Sequence, residues 1–528
     1  MASDILDKIV ELRRKDKASL GSTLGCDVPA TRQRKPPVPF IAQKGVILEI
    51  KRASPSKGDI APQLDERATA LSYIDAGTSA ISVLTEQHYF KGSLTDLQSV
   101  CAAVDQRQQT GAKNVAVLRK DFLIDEEDID IAYRCGADAV LIIARILEDA
   151  LFTAMIQKCT SLGMTAFIEL RKDDDVRKLS LAAKDKNINR SLLVCGVNAR
   201  DLSDFTIDLL SPAGLLSDIQ GILGPEARVV FESGIRSSQA AYFAGSLGFT
   251  GMLLGEAAAR NPAQAKELVE GFMKATQTKN AQSWLRFANL LHEKKRLAVA
   301  EEHCEHSSRT PPPLLKVCGL TQAEDALAAA VAGADMLGFI FSSKSPRKTD
   351  GATVRNIRRN LQETGMTDSL FLVAVITETE STEAQEAIQL AREGIVDFLQ
   401  LHGEHAVKSF LANDGLSGLP HYPVINLSRE CDSEAISRLA SLGEPRILID
   451  SKCGEQLGGT GKQVSADLLT SSAGTSRLWL AGGLNADNIT TVAAQFKPEL
   501  VDVSSGIESS PGKKDLDKLE RLVLALGM

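Results

Sequence analysis

The sequence has no uninterrupted run of 18 apolar residues, so no segment suits a membrane-spanning helix. It has no excess of positive charge: 60 Lys and Arg stand against 68 Asp and Glu, a net charge of −8. No global positive field is available to hold nucleic acid or an anionic membrane, although local phosphate sites stay possible. The opening stretch MASDILDKIVELRRKDK alternates charged and apolar residues at helical spacing and lacks the apolar centre of a signal peptide. Nine cysteines, an odd number without close spacing, read as reduced thiols of a cytoplasmic protein. No Cys/His pair has ligand spacing, so no metal site is expected. What is present is ample. The 528 residues are 44% hydrophobic and 24% charged, and about 100–200 residues per domain gives about two to four globular domains.

Short runs rich in Val, Ile and Leu recur along the chain, each ending in a polar or Gly-rich turn. The first series is GVILEIKR (45–52), AISVLTE (80–86), NVAVLRKDF (114–122), AVLIIARI (139–146), TAFIEL (165–170), SLLVCGVN (191–198), RVVFESG (228–234) and GMLLGE (251–256). The runs lack period-two alternation, as expected of strands buried on both faces in a parallel sheet. The stretches between them, such as DEEDIDIAYRCG (125–136), have helical spacing and end in Gly. Eight strand–helix repeats predict a (β/α)8 barrel. A second series of eight runs from LLKVCGL (314–320) to LVDVSSG (500–506) predicts another. The fold class is therefore α/β, two TIM barrels in tandem. Residues 276–313 fit neither series and end in SSRTPPP, a semi-rigid spacer. The expected division is 1–275, a partly helical linker at 276–313, and 314–528. Residues 1–44 hold one amphipathic helix and the Pro-rich RKPPVP. They either cap the first barrel's mouth or lie on its surface.

Barrel enzymes place their chemistry at the C-terminal ends of the strands. In the first series, ionisable residues concentrate there: Glu49, Lys51 and Arg52, then Lys120 and Asp121, Glu169, Asn198 with Arg200, and Glu232 with Ser233. Any one of these could be a packing salt bridge. As a set they resist that reading. Lysines and carboxylates crowded at one mouth perturb each other's ionisation and suit acid–base work on a carbonyl or hydroxyl. Cys195, inside an apolar strand, reads as core. Gly234 and Gly255 follow the last two strands, where backbone N–H groups of such barrels cradle phosphate. Glu256 follows Gly255, and an acid pointing inward there would oppose a phosphate, so only its backbone is expected to serve.

The second series carries different chemistry. Cys318 ends its first strand, Lys344-Ser345-Pro346-Arg347 follows the second, Gln400 and His402 end the fourth, and Asp450 ends the sixth. Three Gly-rich turns follow, at 458–461, 481–483 and 504–506. The GTGK segment is not a nucleotide P-loop: Gln456 stands where the first Gly belongs, and Gln463 where Ser or Thr should hold magnesium. Cys318 with Asp450 would offer a base and an acid in one cavity, whereas a buried cysteine is more commonly a small hydrophobe.

Residues 1 to about 275 resemble indole-3-glycerol-phosphate synthases in EIKRASPSKG (49–58), LTEQHYFKGS (84–93), LRKDF (118–122), VNARDL (197–202) and ESGI (232–235). Residues 314–528 resemble phosphoribosylanthranilate isomerases in KVCGLT (316–321), GFIFSSKSPRK (338–348), LQLHG (399–403), IDS (449–451), GGTGK (458–462), AGGLN (481–485) and VDVSSGIE (501–508). The order is that of the bifunctional enzymes of tryptophan biosynthesis. The resemblance implies small, phosphorylated anthranilate–sugar substrates and no cofactor. It implies that Asp450 protonates the furanose oxygen and Cys318 removes the C2 proton in the isomerase. Arg347 would hold the anthranilate carboxylate, with His402 and Asp502 also touching substrate, and Gly459, Gly461, Gly483, Ser505 and Gly506 would cradle phosphate. In the synthase it implies Lys120 as general acid, Glu169 as base, and Glu49 and Lys51 assisting. The split of roles between Lys51 and Lys120 stays open. Asn198, Arg200 and Ser233 would orient substrate, and Ser54, Gly234 and Gly255 would hold phosphate. Oligomeric state is open, with a monomer compatible. The alternatives are another pair of sugar-phosphate isomerases, which would show paired aspartates at strands one and five, and a non-catalytic phosphometabolite-binding double barrel, which would lack these acids and bases.

Overall fold

The computed structural model describes residues 5–111, 114–200, 206–305, 312–367, 369–416, 418–426, 432–450 and 477–528. The chain divides into two compact units, Met1–Gln277 and Thr278–Met528. Each contains a closed barrel of parallel strands.

In the first unit the barrel strands are β1 (Gly45–Ile50), β2 (Ala80–Leu84), β3 (Ala116–Lys120), β4 (Ala139–Ile143), β5 (Thr165–Leu170), β6 (Leu193–Asn198), β7 (Val229–Glu232) and β8 (Gly251–Leu254). Each pairs with the next, and β8 closes on β1 with Gly45 opposite Gly251. The apolar runs become strands because helices cover one face and barrel side chains fill the other. The intervening helices start where the sequence supplies caps: Asp65, Ser93, Asp125 and Ser237 each accept a backbone N–H from the first turn.

The second unit repeats the plan with β9 (Leu314–Cys318), β10 (Met336–Phe341), β11 (Phe371–Ile376), β12 (Phe398–His402), β13 (His421–Asn426), β14 (Ile447–Asp450), β15 (Leu478–Ala481) and β16 (Leu500–Val503). An aspartate directly before a strand recurs in both units. Asp138, Asp335 and Asp397 accept the backbone N–H of Val117, Leu315 and Leu372 on the preceding strand. They pin strand register at the barrel bottoms.

Those bottoms are closed by the chain that precedes each barrel. Phe40 and Ile41 enter the first core beside Phe167, while Arg32 and Arg34 pair with Asp138 at 2.8 and 3.1 Å. In the second unit the work falls to the helix Lys279–Glu305, within the stretch read as a linker. Trp284 and Phe287 are fully buried against Phe371, Phe398 and Trp479. Arg286 reaches Asp397 at 2.8 Å, and Lys294 pairs with Asp335. The stretch folds onto the barrel because one helical face carries the large apolar side chains. The first unit's amphipathic helix (Ile5–Leu20) sits at the opposite end, where Ile5, Leu6 and Ile9 line the barrel mouth. Among the described residues, no helix is long and apolar enough to cross a membrane.

Candidate active sites

Side chains at alternate positions on the first barrel's strands point inward, so residues at the strand ends meet over the core. Glu49 on β1, Lys120 on β3, Glu169 on β5 and Glu232 on β7 converge this way. Lys120 Nζ lies 2.8 Å from Glu232 Oε2 and 3.4 Å from Glu49 Oε2. Lys51 Nζ lies 3.4 Å from Glu49 Oε1. Arg171 holds Glu169 Oε1 with Nε at 2.8 Å and with its terminal nitrogen at 2.7 Å. Gly196 makes this possible, because a Cβ there would collide with Glu232 Oε1 and the Phe167 ring.

Burial alone would raise the pKa of every one of these carboxyls; what differs is the compensation. Lys120 and Lys51 outweigh burial at Glu49 and bring it below its ordinary value. Arg171 and then Lys120 do the same for Glu169. At Glu232 burial wins and the pKa rises, consistent with Oε1 having no hydrogen-bond partner among the described residues. Burial works against the Lys120 ammonium, but Glu232, Glu49 and Glu169 together keep it protonated with a raised pKa.

These groups line one cavity of about 330 Å³ together with Ser54, Asn198, Arg200, Ser233, Gly234 and Gly255. Ser233 and Gly234 both have left-handed backbone, with φ of 72° and 82°. A serine held there is strained, as residues at binding sites often are. Glu256 is among the residues lining the cavity. Its charge is met by Arg260 at 3.2 Å and Arg200 at 3.8 Å, which lets an acid sit beside an anion site. The helix Ile5–Leu20 is anchored by Arg13, 3.3 Å from Asp121 and 3.0 Å from Asp128, all three buried.

The second mouth is assembled differently. The Cys318 thiol fits because residue 338 is Gly: a Cβ there would stand 2.6 Å from Sγ. Two residues back on the same face of β9, Lys316 is fully buried and bonds Asp502 Oδ2 at 2.5 Å. Burial raises the thiol's pKa, and Lys316 opposes that rise. Asp502 Oδ1 has no partner among the described residues. Cys318, His402, Asp450, Gly483, Asp502 and Ser505 all line one cavity. Arg347 and Gly506 are not among the residues lining it. Arg347 packs over Gly319 and grips Glu508 at 2.7 Å. Gly459 and Gly461 lie outside the described residues.

Residues 35–270 match the family model of indole-3-glycerol phosphate synthase, and residues 315–525 that of N-(5'-phosphoribosyl)anthranilate isomerase. A tryptophan biosynthesis protein of Phytophthora nicotianae is 31% identical over 508 residues, 86% of each chain. The tryptophan biosynthesis protein TrpCF of Vibrio cholerae is 31% identical, covering 90% of this chain and 85% of its own. The chain belongs to this bifunctional tryptophan-biosynthesis family.

The multifunctional tryptophan biosynthesis protein of Schizosaccharomyces pombe is 28% identical over 92% of this chain, but the match spans only 60% of that protein's length. Of solved structures, the phosphoribosyl anthranilate isomerase of Thermotoga maritima is 31% identical, covering 41% of this chain and 98% of its own, with a TM-score of 0.34.

Within the synthase barrel the structure brings Glu49, Lys51, Lys120 and Glu169 to one mouth, where Glu232 and Arg171 join them. Glu232 was noticed as a strand-end acid but given no role; it is Lys120's shortest partner. Arg171 and the isomerase barrel's Lys316 were missed. Each stands two residues from a singled-out residue, Glu169 and Cys318, and the two-residue period of a strand was the signal that could have found them.

Proposed function

We propose that this chain catalyses two consecutive steps of tryptophan biosynthesis. The isomerase barrel converts N-(5-phosphoribosyl)anthranilate to 1-(2-carboxyphenylamino)-1-deoxyribulose 5-phosphate. The synthase barrel closes that product to indole-3-glycerol phosphate with loss of carbon dioxide and water. The observation that carries the reading is the convergence, in separate barrels, of the two acid–base sets each step needs: Lys120 with Glu49, Glu169 and Glu232, and Cys318 with Asp450.

In the isomerase, Asp450 donates a proton to the furanose ring oxygen and the C1–O bond breaks, giving an iminium. Cys318, with the Lys316 ammonium opposing the effect of burial on its thiol, takes the C2 proton, and the resulting enolamine tautomerises to the ketone. Asp502, held by Lys316, lines the same cavity. Phosphate falls to the turns at Gly483 and Ser505. In the synthase, the aryl carbon bearing the carboxylate attacks the keto carbon while Lys120 hydrogen-bonds the oxygen and supplies its proton. With its pKa raised by three carboxylates, Lys120 acts first as a fixed positive charge on the developing alkoxide. Carbon dioxide leaves and restores aromaticity on one side. Glu169 then takes a proton from the ring methylene next to nitrogen while the hydroxyl on the neighbouring carbon gains a proton from the lysines of the mouth and leaves as water, with Glu49 and Lys51 assisting. Ser54, Gly234 and Gly255 hold phosphate, and Asn198, Arg200 and Ser233 orient the chain of the sugar.

The test is to give purified protein phosphoribosylanthranilate and follow indole-glycerol phosphate fluorescence. Product should form without any added enzyme. No product from either phosphoribosylanthranilate or the purified ketose intermediate would overturn the synthase assignment, and consumption of the ketose alone would overturn the isomerase assignment.

A further inference from the structure

The first mouth contains a cation that the two-step reading does not use. Arg171 follows the last residue of β5, two positions beyond Glu169, so both side chains leave the strand on its inner face. The guanidinium is largely buried, with 15% of its side chain exposed, and it lines the synthase cavity. Two of its nitrogens converge on a single oxygen, Glu169 Oε1, at 2.8 and 2.7 Å. Among the described residues nothing donates a hydrogen bond to Glu169 Oε2. The strand's own continuation fixes the arginine: its backbone N–H bonds Asp175 Oδ2 at 2.8 Å, at the start of the next helix.

The groups facing Glu169 from neighbouring elements act on it only through space, with their hydrogen bonds made elsewhere. Lys120 from β3 is committed to Glu232 at 2.8 Å and Glu49 at 3.4 Å. Lys51 from β1 is directed at Glu49. Glu49 and Glu232 are themselves acids that oppose a charge on Glu169. Of the cations around the Glu49, Glu169 and Glu232 carboxylates, Arg171 is the one that hydrogen-bonds Glu169.

We propose that Arg171 is a positioning residue for the synthase base, holding one oxygen of Glu169 in a two-pronged grip so that the other is presented to substrate. This rests on the synthase reading above. A guanidinium stays charged at any working pH and its planar fork fixes direction, which a lysine does less well. Burial pushes the Glu169 pKa up and Arg171 is the largest influence pulling it down. Removing the arginine therefore raises that pKa, and the fraction of base available falls on the acid side of neutrality.

The experiment uses the full chain and the purified ketose intermediate, comparing wild type, Arg171→Gln and Arg171→Lys across pH 5.5–9. Arg171→Gln should lower synthase kcat at neutral pH by about tenfold to a hundredfold, the scale of a misdirected catalytic group. Its acid limb should move to higher pH, so that activity recovers as pH rises. Arg171→Lys should restore part of both. Isomerase turnover by the same molecules serves as the internal reference for active protein, and a melting curve reports the fold. An unmoved acid limb with wild-type kcat overturns the proposal. A loss that is equal at every pH and unrelieved by lysine also overturns it, because that marks mere structural support. If Arg171→Gln does not fold, Arg171→Lys decides: a limb displaced from wild type supports the grip, and a wild-type profile refutes it. Wild-type protein inactive on the ketose would instead refute the synthase reading itself.

Discussion

At the first mouth three carboxylates, Glu49, Glu169 and Glu232, interlock with Lys51, Lys120 and Arg171. At the second, a thiol sits two residues from a lysine already committed to Asp502. The contrast follows from what each barrel has to stabilise. Closing a ring onto a ketone and then expelling hydroxide builds charge on oxygen twice, and fixed opposite charges in a water-poor cavity do most there. Opening a sugar ring and moving one proton needs one donor and one acceptor, with their ionisation tuned and little else. In the first site every working charge is also another's partner, so its residues are coupled. In the second the buried pair beneath the thiol is separable from the acid across the cavity.

That difference is broken most severely by removing one reactive group from each site. Lys120→Ala should lower synthase turnover by about 10²–10⁴-fold, the usual range for a positioned proton donor, and leave the isomerase untouched. It also leaves Glu232 and Glu49 without their shared ammonium, so binding of the anionic substrate should weaken too. Cys318→Ala should do the reverse: no ketose forms, while added ketose is still closed to indole-glycerol phosphate. Separate assays with each substrate check both. A Lys120→Ala protein with full ring-closing activity would remove the lysine from the chemistry.

The bottoms of the barrels are sealed in parallel ways, by Phe40 in one unit and by Trp284 and Phe287 in the other. The second seal is a helix of 27 residues and the larger investment. Trp284→Ala should destabilise the second unit by about 3–5 kcal/mol, the cost of emptying a buried aromatic site. Urea unfolding followed at the isomerase should shift to lower denaturant while synthase activity keeps its midpoint. Equal shifts in both would show that the seal is not local to one barrel.

The barrels themselves were legible because burial on both strand faces writes continuous apolar runs, and because eight repeats are hard to mistake. The converging acids and bases were legible as ionisable residues interrupting such runs. What escaped was pairing. No linear spacing relates Lys120 to Glu232, 112 positions away, and only closure of the barrel joins them. Stretch 276–313 reads as polar and spacer-like because its charged face outnumbers its apolar one. Trp284 and Phe287 gain their meaning only against Phe398 and Trp479. Glu256 shows the converse. An acid beside a phosphate turn looked unfavourable in isolation, and Arg260 and Arg200 supply the charges that make it tolerable.

Glu256 also offers the finest probe of the synthase mouth, because it neutralises two arginines that line the same cavity and whose charge an incoming phosphate would feel. Both its pairs are part-exposed, and such pairs contribute about 0.2–1 kcal/mol. Replacing it by the smaller Glu256→Ser frees Arg200 and Arg260 and removes one negative charge from the cavity wall. The KM for the ketose phosphate should fall by about two- to fivefold, since 1.4 kcal/mol corresponds to about tenfold in affinity. The kcat should hold, because Lys120 and Glu169 do not touch this side chain. The effect should shrink as ionic strength rises, as expected for a screened charge at the rim. A higher KM would mean that the carboxylate holds the arginines in place for phosphate rather than offsetting their charge.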